Sequence, residues 1–122
     1  MGFFNSRYRS FKNALNGLIY FYRSETNARI ILAATVIALL VSVIIGLSSI
    51  EWLMVLLAIV LVNVSELINS SLEHTIDRLH PGHHQSIKHA KDLAAAATLL
   101  TSVFALTVGM IVFAPKLLSI LT

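Results

Sequence analysis

Four polar side chains recur at helical spacing in Glu66-Leu-Ile-Asn69-Ser-Ser-Leu-Glu73-His-Thr-Ile-Asp77. At about 100° per residue, offsets of 3, 7 and 11 return to a stripe roughly 80° wide. Acidic groups in or beside a membrane-length apolar run are costly and usually have a purpose. The 14 residues 52–65 precede Glu66, about 21 Å of helix against a hydrocarbon core of about 30 Å. Glu66 is therefore expected at the edge of one leaflet, with Glu73 about 10 Å and Asp77 about 16 Å further out. A group that reacts with something in the membrane belongs at Glu66. A charged, water-soluble reactant belongs at Glu73 and beyond.

Carboxylates interleaved with an amide, in a chain with no cysteine, suit Mg²⁺, which takes oxygen ligands and commonly shares them with substrate phosphates. Glu73 is the best ligand candidate in the ladder, and Glu25 is a second. Lys91 and Asp92 open the third apolar segment, with Lys88 one turn earlier. A lysine near a helix N-terminus adds its charge to the helix dipole, a good place for a phosphate. Together these groups suit phosphoryl transfer from a nucleotide to a membrane hydroxyl. Neither a P-loop nor a kinase-type glycine-rich loop is present.

The elements that must position these groups follow from composition. The 122 residues are 57% hydrophobic and 12% charged, against about 25% charged in soluble domains. Segment 30–47 has 18 uncharged residues and segment 93–115 has 23, while 52–65 continues its helical pattern to about Leu79. Three spans are predicted, at about 28–47, 51–79 and 91–117, within a single domain over 1–122. The turn at 48–51 makes the first two antiparallel neighbours, with Glu51 and Trp52 as interfacial anchors. Residues 7–24 carry Phe11, Leu15, Leu18, Ile19 and Tyr22 at spacings of 3 and 4, the pattern of a helix lying on the membrane surface. The fold class is an all-α membrane protein with an amphipathic N-terminal helix and three transmembrane helices.

Eight of the nine lysines and arginines (all but Lys116) lie before the first span or between the second and third. This bias predicts a multi-pass protein of the cytoplasmic membrane, with the N-terminus and the 77–92 loop cytoplasmic and the C-terminus outside. The basic residues flank apolar runs, so the pI near 9.6 reflects topology and not nucleic-acid binding. No cleavable signal peptide is expected. With no cysteine, disulfides and thiol chemistry are excluded.

The run from Glu66 to Arg78, followed by Ala90-Lys91-Asp92, resembles the small integral-membrane diacylglycerol kinases of bacteria, which include undecaprenol kinases of the same fold. The likeness covers about residues 9–115 and takes in Gly17, Glu25, Arg29 and Glu51-Trp52. It implies a homotrimer and direct transfer of the ATP γ-phosphoryl group to a lipid hydroxyl. Glu66 would accept the hydroxyl proton, and Glu25 and Glu73 would bind the Mg²⁺ that holds ATP. Asn69, Asp77, Lys91 and Asp92 would shape the nucleotide site, with His84 beside them and Arg29 toward the lipid substrate. Asn13 stands where some members carry an aromatic residue near the adenine. Ala96 replaces a glycine found in many members. Ile50-Glu51-Trp52, the Glu73 to Asp77 stretch and the His83-His84 pair resemble the undecaprenol kinase branch more, with diacylglycerol the other acceptor.

Plainer readings exist for each feature. Glu66 alone suits a helix-packing acid, and Lys91-Asp92 suits interfacial anchoring. His80, His83, His84 and His89 suggest a metal cluster less than they suggest loop histidines near anionic lipid or ATP. Ala94 to Ala97 suits close helix packing. The rival function is a small oligomeric proton- or cation-coupled transporter with Glu66 as the ion site. Such sites lie near the bilayer midplane, whereas this ladder runs outward to a Lys-Asp pair. A passive scaffold is the third class.

Overall fold

The computed structural model describes residues 2–122. Four helices follow in order: α1 (Phe3–Ser24), α2 (Thr26–Ile45), α3 (Ser49–Leu79) and α4 (Gln85–Leu121), with no strand among the described residues. By length and composition, α2, α3 and α4 can each cross a membrane.

The helices outrun the limits expected from the apolar segments. Charges at Lys88, Lys91 and Asp92 end the hydrophobic run, but lysine does not end a helix. The start of α4 is set instead by His84, whose Nδ1 accepts from the Ser86 N–H at 3.2 Å. Nor does Pro115 stop α4, which continues to Leu121. The missing N–H of Pro115 deprives the Ile111 carbonyl of its helical donor. At the other end of the chain, α1 starts at Phe3, with its first two turns exposed.

One extended residue, Glu25, separates α1 from α2 (φ −119°, ψ 132°). It closes α1 by donating its N–H to the Phe21 carbonyl at 3.3 Å, and opens α2 by accepting from the Arg29 N–H at 3.2 Å. The Arg29 guanidinium donates to the Arg23 carbonyl at 3.0 Å, satisfying a carbonyl that the end of α1 would leave open. A carboxylate thus sits where the backbone turns a corner.

Between α2 and α3, Gly46 takes φ +79°, a left-handed conformation that glycine adopts without steric cost. Ser48 and Glu51 then form a capping box. The Glu51 N–H donates to Ser48 Oγ at 3.2 Å, and the Ser48 N–H donates to Glu51 Oε1 at 2.9 Å. Lys116 near the end of α4 lies 3.3 Å from the same carboxylate. The most extensive packing joins α3 to α4, around Val55, Ala58, Val108 and Val112, with Ile59, Phe104 and Phe113 against them. Large apolar side chains of α2 and α4, such as Ile37, Ile44, Leu100 and Ile111, point outward. In lipid this carries no hydrophobic penalty, so helix association rests on close packing and interhelical hydrogen bonds.

Candidate functional site

The end of α1 and the corner residue Glu25 make four contacts to α3 beside the ladder. The Tyr22 hydroxyl donates to Asn63 Oδ1 at 2.6 Å. The Ser70 hydroxyl donates to the Glu25 carboxylate. Tyr20 Oη lies 3.4 Å from His74 Nε2, and His74 Nδ1 is 3.8 Å from Glu25 Oε1. Asn63, Ser70 and His74 fall on one flank of the ladder, since +7 and +11 return to nearly one direction. Sequence reasoning picked out the acids and missed this flank. The available signal was a set of polar residues in and just beyond an apolar span, the usual mark of interhelical hydrogen bonds.

The corner carries Glu25 to the acids of α3. Glu66 is half-buried, and the charges of Glu25 and Glu73, together with the Asn69 amide, act on it. Asn69 also donates to Glu73 Oε1 at 3.5 Å. Its own Oδ1 is buried with no partner among the described residues, although the residue is only 8% exposed. An unpaired buried carbonyl oxygen costs free energy until something binds it.

On the opposite flank α4 supplies cations. Lys91 Nζ donates to Asp77 Oδ1 at 2.5 Å, and the charge of Glu73 also acts on Lys91. Lys88 pairs with Asp92 at 2.6 Å within α4. Asp77, His84, Lys88, Lys91 and Asp92 line a cleft of about 240 Å³ under the loop at 80–84. A second cleft, of about 610 Å³, opens between α1 and α3 and is lined by Gly17, Tyr20, Glu25, Ser71 and His74. A side chain added at Gly17 would meet open space there. Of the residues picked from sequence, Glu25, Glu66, Asn69 and Glu73 come together, and Asp77, Lys91, Asp92 and His84 form an adjoining group. Asn13 is exposed on α1 and outside the lining of the cleft. Arg29 is exposed and engaged with the end of α1.

These groups suit Mg²⁺. No cluster of three or more His, Cys, Asp or Glu arranged to hold a metal occurs among the described residues, and a caging site of the zinc type is not what the donors offer. Mg²⁺ needs only one or two carboxylates when phosphates and water complete its shell. Glu25 and Glu73 would be the carboxylates to hold it, and the orphaned Asn69 Oδ1 is a further hard oxygen on the amide that donates to Glu73. Carboxylates whose charges already act on one another would repel an anionic phosphate unless a cation stood between.

A model of the prokaryotic diacylglycerol kinase family matches residues 12–113. The chain belongs to that family. It is thereby a lipid kinase of the diacylglycerol/undecaprenol kinase type, and every site residue described above lies inside the matched stretch. Among its relatives, an undecaprenol kinase of Bacillus subtilis is 35% identical over 113 residues, covering 93% of this chain and 92% of the relative. A diacylglycerol kinase of Synechocystis sp. is 33% identical over 113 residues, covering 92% of this chain and 65% of the relative. A diacylglycerol kinase of Pseudomonas aeruginosa is 30% identical over 105 residues, covering 86% and 82%. The three apolar helices fit the membrane setting of this kinase family.

Proposed function

We propose that this lipid kinase transfers the γ-phosphoryl group of ATP to the hydroxyl of a membrane lipid, undecaprenol in preference to diacylglycerol. The observation that carries the reading is the seating of Glu25, from the α1–α2 corner, on Ser70 of α3, where its charge and that of Glu73 both act on Glu66. The acceptor oxygen attacks the γ-phosphorus, the bond from that phosphorus to the β–γ bridging oxygen breaks, and ADP leaves. Glu66, the acid deepest in the span, takes the hydroxyl proton. Glu25 and Glu73 hold Mg²⁺, which when bound offsets phosphate charge. Asn69 and Lys91 orient the triphosphate, Lys91 exchanging part of its contact with Asp77 for phosphate oxygen. Asp77, Asp92, His84 and Asn13 serve the nucleotide, and Arg29 faces the lipid headgroup.

The acceptor preference is supported by the undecaprenol kinase relative, which aligns over nearly its whole length. The distribution of basic residues supports a cytoplasmic face for the site, in the inner membrane of a bacterium. The outward-facing apolar surfaces of α2 and α4 leave room for the homotrimer that the resemblance implies. The test offers the purified protein in lipid nanodiscs γ-labelled ATP, Mg²⁺ and, separately, undecaprenol, diacylglycerol and ceramide. Label is expected chiefly in undecaprenyl phosphate. Preferential label in phosphatidic acid overturns the acceptor, and label in no lipid overturns the reaction.

A further inference from the structure

Three helices meet at one amide. Asn63 Oδ1 accepts from Tyr22 of α1 at 2.6 Å. Its Nδ2 donates to Thr35 Oγ1 of α2 at 3.3 Å and to the Ile59 carbonyl of its own helix at 2.8 Å. Both polar atoms of this half-buried amide are therefore engaged. Asn63 lies three residues before Glu66, about one turn deeper in the span, and Tyr22 lies three residues before Glu25. Burial pushes the Tyr22 phenol above its ordinary value of 10.0, so it stays protonated and donates. Phe21 beside it is buried at 3% exposure, stacked edge-on to the Tyr22 ring at 4.9 Å.

We propose that Tyr22, Asn63 and Thr35 form a clamp that positions the α1–α2 corner, holding Glu25 in register with Ser70 and the α3 acids. None of the three is a catalytic residue; they act through Glu25, and the proposal rests on the Mg²⁺-ATP reading of that carboxylate. The physical reason is direction. The corner has one extended residue and no cap from its own side chain, so local backbone structure does not set where the Glu25 carboxylate lands. Apolar packing is non-directional, whereas hydrogen bonds at 2.6 and 3.3 Å set both distance and angle.

The test uses Tyr22→Phe and the double variant Tyr22→Phe/Asn63→Leu in nanodiscs. Three quantities are read: the Mg²⁺ concentration for half-maximal rate, the melting temperature, and amide hydrogen exchange over residues 19–29. Tyr22→Phe strands Asn63 Oδ1. It should lower the melting temperature, speed exchange at the corner and raise the Mg²⁺ requirement about tenfold. KM for the acceptor lipid should not change. The double variant leaves no amide unpaired and should regain thermal stability. Exchange at the corner and the Mg²⁺ requirement should stay raised, because direction has not been restored. An unchanged Mg²⁺ requirement in Tyr22→Phe overturns the clamp, as does a double variant that recovers all three readouts together. Were Tyr22→Phe not to fold, the double variant answers both questions alone. Were the wild type to transfer no phosphate, the functional reading falls, and slow or fast exchange at the corner still decides the clamp.

Discussion

Where α3 begins, Ser48 and Glu51 bond each other's backbone, Lys116 approaches Glu51, and Val55 and Ala58 pack on Val108 and Val112. About four turns later, at Glu66, the same helix is built differently. Carboxylates from two segments act on one another, and Asn69 keeps a buried oxygen without a partner among the described residues. The first end uses capping and packing to close the α3–α4 pair. The second spends stability on groups that a cation and phosphates would satisfy, and functional sites are where such local conflicts are expected. Polarity alone does not separate the two ends, since both carry acids and a lysine. Whether the polar atoms are already paired does.

Variants at the two ends should therefore fail differently. The largest effect is expected at Glu66: Glu66→Gln should reduce phosphoryl transfer by about 10²–10⁴-fold, the range for a general base. Its melting temperature should match or exceed that of the wild type, because a crowded charge is removed. Wild-type turnover of labelled ATP in this variant would remove Glu66 from the base role. Next comes Ser70→Ala, which frees the Glu25 carboxylate from its one direct hydroxyl contact. Loss of a group that orients a metal ligand typically costs about 10–100-fold in metal affinity. A titration of rate against Mg²⁺ should shift by that order while saturating turnover is largely kept.

At the closed end the order reverses, with stability moving and catalysis not. Val55→Ala, at 3% exposure, should lower stability by about 1 kcal/mol through lost packing. Its Mg²⁺ and ATP dependence should be those of the wild type in assays well below the melting temperature. A raised Mg²⁺ requirement there would show that the two ends are coupled and not separate. Lys116→Gln should do least. The Lys116–Glu51 pair is partly exposed, and exposed pairs contribute little, so a slight drop in melting temperature and unaltered turnover are expected.

The regularities of a single helix are legible in the amino-acid sequence. Glu66, Asn69, Glu73 and Asp77 share a stripe because of the helical repeat alone, and the apolar runs mark out α2, α3 and α4. Boundaries are less legible. The apolar limit near residue 91 marks where membrane chemistry ends, whereas α4 starts at Gln85 because His84 caps it. Glu51 reads as an interfacial anchor and proves also to be half of a capping box. Asn13 is not brought to the acids within one chain. Ser70, His74 and Asn63 escape a sequence reading because a Ser, His or Asn has no distinguishing pattern until its partner on another helix is known.

Composition and periodicity by themselves determined that this chain is helical, membrane-spanning and equipped with an acidic stripe at one span's end. These properties depend on burial preference and on 3.6 residues per turn, both local quantities. Only the tertiary structure decided that Glu25 joins that stripe, that Lys91 reaches Asp77, and that Tyr22 reaches Asn63. Those meetings, the first made through Ser70, cross 45, 14 and 41 positions of sequence. They are set by how one-residue corners and interhelical hydrogen bonds aim rigid helices, and no spacing rule within a helix contains that information.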